Sequence, residues 1–113
     1  MEDCYVGYAM DIIGGKWKLL IIWTIFQNRV IRFNELQRKV NGISSLMLSK
    51  NLKELEEDCL IIRHQYNEIP PRVEYELSKL SQKLIVALDA LSEWGNEVYI
   101  YKKTSIKHTT AVD

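Results

Sequence analysis

Two thiols, two imidazoles and one Gly-Gly-Lys run are what this 113-residue chain offers for covalent or metal chemistry. Cys4 is the more reactive candidate. It lies just ahead of a helical pattern that opens near Val6, and a helix N-terminus favours the thiolate, whereas Glu2 and Asp3 beside it oppose further negative charge. The residues alone favour an inert cysteine over a thiol switch. Cys59 falls in a turn before Leu60 and Ile61 and reads as structural. With His64 it falls short of the roughly four ligands a zinc site needs, and His108 stands far off. Lys16 follows Gly15 as in a phosphate-binding loop, but Met10 takes the place of the first glycine and Trp17 that of the hydroxyl residue. No nucleophile has a base at useful spacing, and no two carboxylates share a framed pocket. The expectation is a protein that is not an enzyme and takes neither metal nor organic cofactor.

What remains is charge. The formal net charge is zero, yet its distribution is uneven. Residues 1–14 carry Glu2, Asp3 and Asp11 with no base, whereas residues 15–39 carry Lys16, Lys18, Arg29, Arg32, Arg38 and Lys39 against Glu35 alone. A chain neutral on average can still present one basic face to phosphate, because the local field governs the encounter. The same residues also fit ordinary solvated helix positions.

Composition sets the frame for placing these groups. With 47% hydrophobic and 27% charged residues, the chain reads as one ordinary globular domain. Its longest apolar run, residues 19–25, is broken by Thr24 and is far short of the ~20 residues of a membrane span. No secretory pattern opens the chain, and two distant cysteines suggest no disulfide framework, so a cytoplasmic protein with no membrane partner is expected.

A first helix is predicted over residues 6–13, stopped by Gly14-Gly15, and a second over residues 16–27, apolar nearly all round and therefore the buried hub. Asn28 and the following NRVIRF segment turn the chain. Phe33, Leu36 and Val40 then recur at helical spacing for a short third helix. Gly42 is placed to end it as a C′ glycine, and Ser44 to cap a fourth helix. Two helices joined by about four residues including glycine match a helix-turn-helix. In the fourth, Leu48, Leu52 and Leu55 form the inward stripe, which turns Leu46, Ser49, Lys50, Lys53, Glu54 and Glu57 outward. That outer face is small, polar and basic where it begins and acidic where it ends. A groove-reading helix meets DNA with its N-terminal residues, where free backbone N–H groups also favour phosphate. The acids of the last turns oppose the helix dipole, so nearby bases are expected to partner them. For the segment in isolation, an ordinary amphipathic surface helix is the better reading.

IIRHQY (61–66) and RVEYEL (72–77) are strand-like and flank Pro70-Pro71, so a stiff hairpin should follow the fourth helix. Helix-turn-helix followed by hairpin is a winged helix. The wing could hold Arg72, with Arg63 in support, against a DNA backbone or minor groove; alternatively Arg72 pairs with Glu74 or Glu68. From Ser78, a plausible N-cap, helical spacing runs to about Lys103. Leu84, Leu88, Leu91, Gly95 and Val98, widened by Ile85, Trp94, Tyr99 and Tyr101, offer more apolar surface than a small core needs. Gly95 inside a helix suggests close approach of another backbone. This helix and the N-terminal one are expected to build a two-fold dimer. Residues 104–113 show no pattern and read as a flexible tail, leaving a single domain over residues 1–103.

The motifs IIGGKWKLLII (12–22), RFNEL (32–36), GIS with ML (42–48), LKELEED (52–58), PPRVEYELS (70–78) and LDALSEWG (88–95), with Cys4 ahead of them, make the sequence similar to the HxlR family of winged-helix regulators, relatives of MarR proteins. The resemblance spans about residues 4–102. It implies a homodimeric transcription factor on a palindromic double-stranded DNA site, some relatives sensing thiol-reactive compounds or aldehydes through the N-terminal cysteine. Departures are Leu46, where a basic or polar residue is usual, Cys59 and Ser81, where glycines are usual, and Tyr5, where proline is frequent. The fold expected is mainly α with a small β-hairpin (α+β): a winged helix-turn-helix with N- and C-terminal dimerisation helices. The DNA-contacting candidates are Arg32, Ser44, Ser45, Leu46, Ser49, Lys50, Lys53, Arg63 and Arg72. Cys4 is the redox candidate, and Leu84, Leu88, Leu91, Trp94, Gly95 and Val98 form the dimer face. The reading from another class is a winged-helix protein-interaction module that does not bind DNA, which zero net charge and Leu46 would permit.

Overall fold

A computed structural model describes residues 4–107. In chain order it contains α1 (Val6–Ile13), α2 (Lys18–Asn28), β1 (Val30–Arg32), α3 (Phe33–Lys39), α4 (Ser45–Glu57), β2 (Ile61–Tyr66), β3 (Arg72–Leu77) and α5 (Leu80–Lys107). Ile21, Ile22 and Ile25 of α2 are fully buried and meet Ile31, Leu36, Leu48, Leu52 and Leu55, so α2 is the hub around which the other elements close. Leu48, Leu52 and Leu55 form the inward stripe of α4, as their spacing predicts.

Four local outcomes differ from the sequence reading. The helix predicted from residue 16 begins at Lys18. Gly14 ends α1, where a Cβ would collide with the Met10 carbonyl oxygen, and Gly15 to Trp17 are spent on the turn. The NRVIRF segment is more than a turn. Val30–Arg32 adds a third strand to the hairpin, giving an antiparallel sheet of order β1-β3-β2 with Ile31 opposite Tyr75. Three alternating residues between a helix and a helix carry too short a period-2 signal to be read from sequence. Gly42 does adopt a left-handed φ of 87°, but two positions beyond the Val40 C-cap rather than one. Ser78 does not cap α5. Its hydroxyl donates to the Cys59 carbonyl oxygen at 2.7 Å, and the helix begins at Leu80.

At its far end α5 runs four residues past the predicted Lys103, through Lys107, so that only residues 108–113 of the expected tail, with His108, lie outside the described residues, as do Glu2 and Asp3. A second correction concerns Cys59, read as structural. It is exposed, with φ at 62°. Helix α4 ends in a Schellman motif: the Cys59 N–H donates to the Glu56 carbonyl and the Leu60 N–H to the Leu55 carbonyl, which forces the residue between into the left-handed region. A side chain there costs roughly 1 kcal/mol relative to glycine. Cys59→Gly should therefore raise the thermal midpoint by several degrees, measured by circular dichroism on the reduced protein.

Candidate nucleic-acid interface

Ser44 does cap α4. Its hydroxyl oxygen accepts the Met47 N–H at 3.1 Å, which leaves the hydroxyl proton available to an outside acceptor. Beyond the cap, Ser45, Leu46, Ser49, Lys50 and Lys53 are all exposed, and Leu46, 81% accessible, is the most prominent apolar side chain of the helix. Among the described residues neither Lys50 nor Lys53 is ion-paired.

The alternation of the hairpin sorts its two arginines. Arg63 stands opposite Tyr75 and turns toward α4, where Ser49, Leu52, Lys53, Glu56, Arg63 and Tyr75 line an open cleft of about 340 Å³. Three of the sequence-chosen residues, Ser49, Lys53 and Arg63, thus converge on one cleft between the helix and the wing. Arg63 is steadied by a 3.0 Å bond to the Gln65 amide oxygen.

Arg72 is on the other face, opposite Tyr66. The alternative weighed from sequence is the arrangement observed: its guanidinium lies 3.6 Å from Glu68 and 3.6 Å from Glu74, and 4.2 Å above the Tyr66 ring, with Nε buried and lacking a hydrogen bond. Arg32 joins it there, 3.9 Å from Glu74, because the register sets Arg32 against Glu74. Glu74 thus sits between two arginines proposed from sequence to touch DNA. His64 shares this face and pairs with Glu76; among the described residues no three metal-ligating side chains cluster.

Among the acids of α4, Glu54 finds the base that the dipole argument demands, whereas Glu56 and Glu57 form no ion pair among the described residues. Lys18 Nζ lies 2.9 Å from Glu54 Oε1. The hydrogen bond from Lys18, and then its charge, hold the Glu54 carboxyl below the usual carboxylate range, with Lys50 adding to the effect. Sequence reading missed Lys18 as the partner, although a cation in the first turn of α2 is itself unfavourable and marks it as serving another element.

The dimer-face candidates divide. Leu88 is buried in the protomer's own core and Leu84 packs against it. Leu91 and Trp94 are 48% and 62% accessible, and Gly95 has open space where a Cβ would stand. Val98 is half-buried and lines a shallow hollow with Trp94 and Tyr101. Leu19, Leu20, Trp23, Leu88, Leu91 and Ser92 enclose a second, apolar groove of about 210 Å³ between α2 and α5. Helix α1 buries no residue fully, and Cys4, Tyr5, Val6, Tyr8 and Met10 are exposed. Among the described residues no helix is long and apolar enough to cross a membrane.

Comparison with known proteins gives this geometry a context. The HxlR-like helix-turn-helix family model matches residues 12–103. An HTH-type transcriptional regulator of Halalkalibacterium halodurans is 43% identical over 95 residues, 84% of each chain. A solved MarR-family transcriptional regulator from Porphyromonas gingivalis W83 superposes with a TM-score of 0.78 at 46% identity, covering 86% of this chain and 94% of the other. The redox regulator HypR in its reduced form superposes at 0.82 with 33% identity, covering 89% and 99%. The chain carries the winged helix-turn-helix fold expected of it and belongs to the HxlR-like helix-turn-helix family of transcriptional regulators.

Proposed function

We propose that the protein regulates transcription as a homodimer on palindromic duplex DNA. Helix α4 would enter the major groove with Ser45, Leu46, Ser49 and Lys50, while Lys53 and Arg63 take phosphate in the cleft between α4 and β2. The observation that carries this is the convergence of Ser49, Lys53 and Arg63 on one outward cleft beside a capped, unobstructed helix start. Leu46 is suited to a thymine methyl rather than a phosphate. The dimer rests on α1, where Val6, Tyr8 and Met10 are exposed, and on the exposed Leu91, Trp94, Tyr99, Ile100 and Tyr101 of α5. Two recognition helices related by that axis would address half-sites about 34 Å apart.

Binding through several phosphates makes affinity fall steeply with salt. We expect the logarithm of the association constant for duplex DNA upstream of the gene to decline linearly with the logarithm of salt concentration, measured by fluorescence anisotropy. An affinity indifferent to salt would favour the interaction module that zero net charge permits.

Cys4, exposed immediately before α1, would make the regulator responsive to thiol oxidation, a reading supported by its likeness to the redox regulator HypR. Diamide should change the DNA affinity of the wild type and leave Cys4→Ser unchanged. Equal responses would remove Cys4 from this role.

A further inference from the structure

Lys18 makes two contacts outside its own helix, to two different elements. Its ammonium donates to the Ile12 carbonyl oxygen, at 3.3 Å in the last turn of α1, and lies 2.9 Å from the Glu54 carboxylate of α4. The lysine side chain is 13% exposed and the Glu54 side chain 40%, so the lysine is held in place while water still reaches the carboxylate. Neither member of the pair suits its own helix. A cation at the start of α2 and an anion near the end of α4 each oppose the local dipole. Two placements that are unfavourable singly and are paired with each other indicate a tie between elements rather than support for either one. The Ile12 carbonyl, by contrast, belongs to a helix end where a cation is favoured. Lys18 thereby bonds both α1 and α4 through a single side chain.

We infer that Lys18 is a positioning residue that couples the N-terminal helix to the DNA-facing helix, so that displacement of α1 is transmitted to the setting of α4. The importance of the coupling rests on the proposed function, since α1 carries Cys4 and the proposed dimer face; the contacts themselves do not. Loosening α1 by thiol modification or by loss of the partner subunit would release the Ile12 carbonyl, and the ammonium would then hold α4 through one anchor only.

Hydrogen exchange of the full chain tests this without DNA. Ala9→Gly loosens α1 at an exposed position, and opening of α1 should increase about fivefold. In the Lys18 background, exchange over residues 45–57 should accelerate along with residues 6–13. In Lys18→Met, which keeps the aliphatic stem and loses both bonds, the same Ala9→Gly change should leave residues 45–57 unaffected. The double exchange Lys18→Glu/Glu54→Lys separates the two bonds. It restores an ion pair between α2 and α4 in the orientation both dipoles favour, but glutamate cannot donate to the Ile12 carbonyl. That protein should fold and stay uncoupled. A purely structural lysine would shift all backgrounds alike, without the non-additivity a coupling requires. Failure of Ala9→Gly to reach residues 45–57 in the Lys18 protein, or an undiminished effect in Lys18→Met and the double exchange, would overturn the inference. Absence of salt-dependent duplex binding alongside intact coupling would instead reject the DNA-binding reading alone.

Discussion

Leu91→Asp should turn the dimer into a folded monomer and weaken operator binding by about 100-fold or more, since linking two half-site interactions is worth that much by effective concentration alone. The substitution separates folding from association because of where Leu91 lies. It is 48% accessible in the protomer and three residues beyond Leu88, the last residue of α5 in the buried core. An aspartate there forfeits the packing of the covered half of the leucine, about 1 kcal/mol, which leaves the chain folded. Leu91 lines the apolar groove with Leu19, Leu20 and Trp23 of its own protomer, so a partner covering that groove would trap the carboxylate unpaired, where a charge is strongly disfavoured. Sedimentation at micromolar concentration and thermal melting read the two effects apart. Leu88→Asp is the contrast: with Leu88 7% accessible, its replacement should unfold the chain rather than divide it. A Leu91→Asp protein that sediments as a dimer would move the interface elsewhere.

That division within one helix also marks what could be read from sequence. A 4-3-4-3 apolar spacing identifies a stripe, but not which turns of it face the protomer and which a partner. Leu84 and Leu88 went inward because they pack on the core, whereas Leu91 only borders α2 along an open groove. The helix-turn-helix and the wing were legible because each has its own local signature: Ser44 as a cap, three leucines at helical spacing, and two alternating runs around a proline pair. Arg72 with Glu68 or Glu74 was legible as an alternative because the three lie close along the chain, whereas pairs set by sheet register were not. Val30–Arg32 became a strand only by pairing with β3, and that pairing put Arg32 beside Glu74. Likewise the two wing arginines look equivalent along the chain, yet Arg63 stands directly opposite Tyr75 whereas Arg72 has an odd offset from it, which sends them to opposite faces.

Replacing Lys50 and Lys53 together with glutamine should weaken duplex binding by roughly 1000-fold, at about 1 kcal/mol for each of the four ammonium groups that a dimer would no longer present to phosphate. The slope of log affinity against log salt should flatten by about 3 to 4. Glutamine has nearly the helix propensity of lysine, and neither side chain is ion-paired among the described residues, so the melting temperature should hardly move. Arg72→Ala provides the comparison. Sequence alone assigns Arg72 a DNA contact equal to that of Lys50. In the structure its guanidinium already satisfies Glu68 and Glu74 and covers Tyr66. Its removal would leave two carboxylates without this cation near the tip of the wing, so the larger consequence should be a loosened hairpin, with the salt slope little changed. A slope that flattens as much for Arg72→Ala as for the lysine pair would show that DNA draws Arg72 away from its glutamates, and that the wing rather than the cleft beside α4 supplies the phosphate grip.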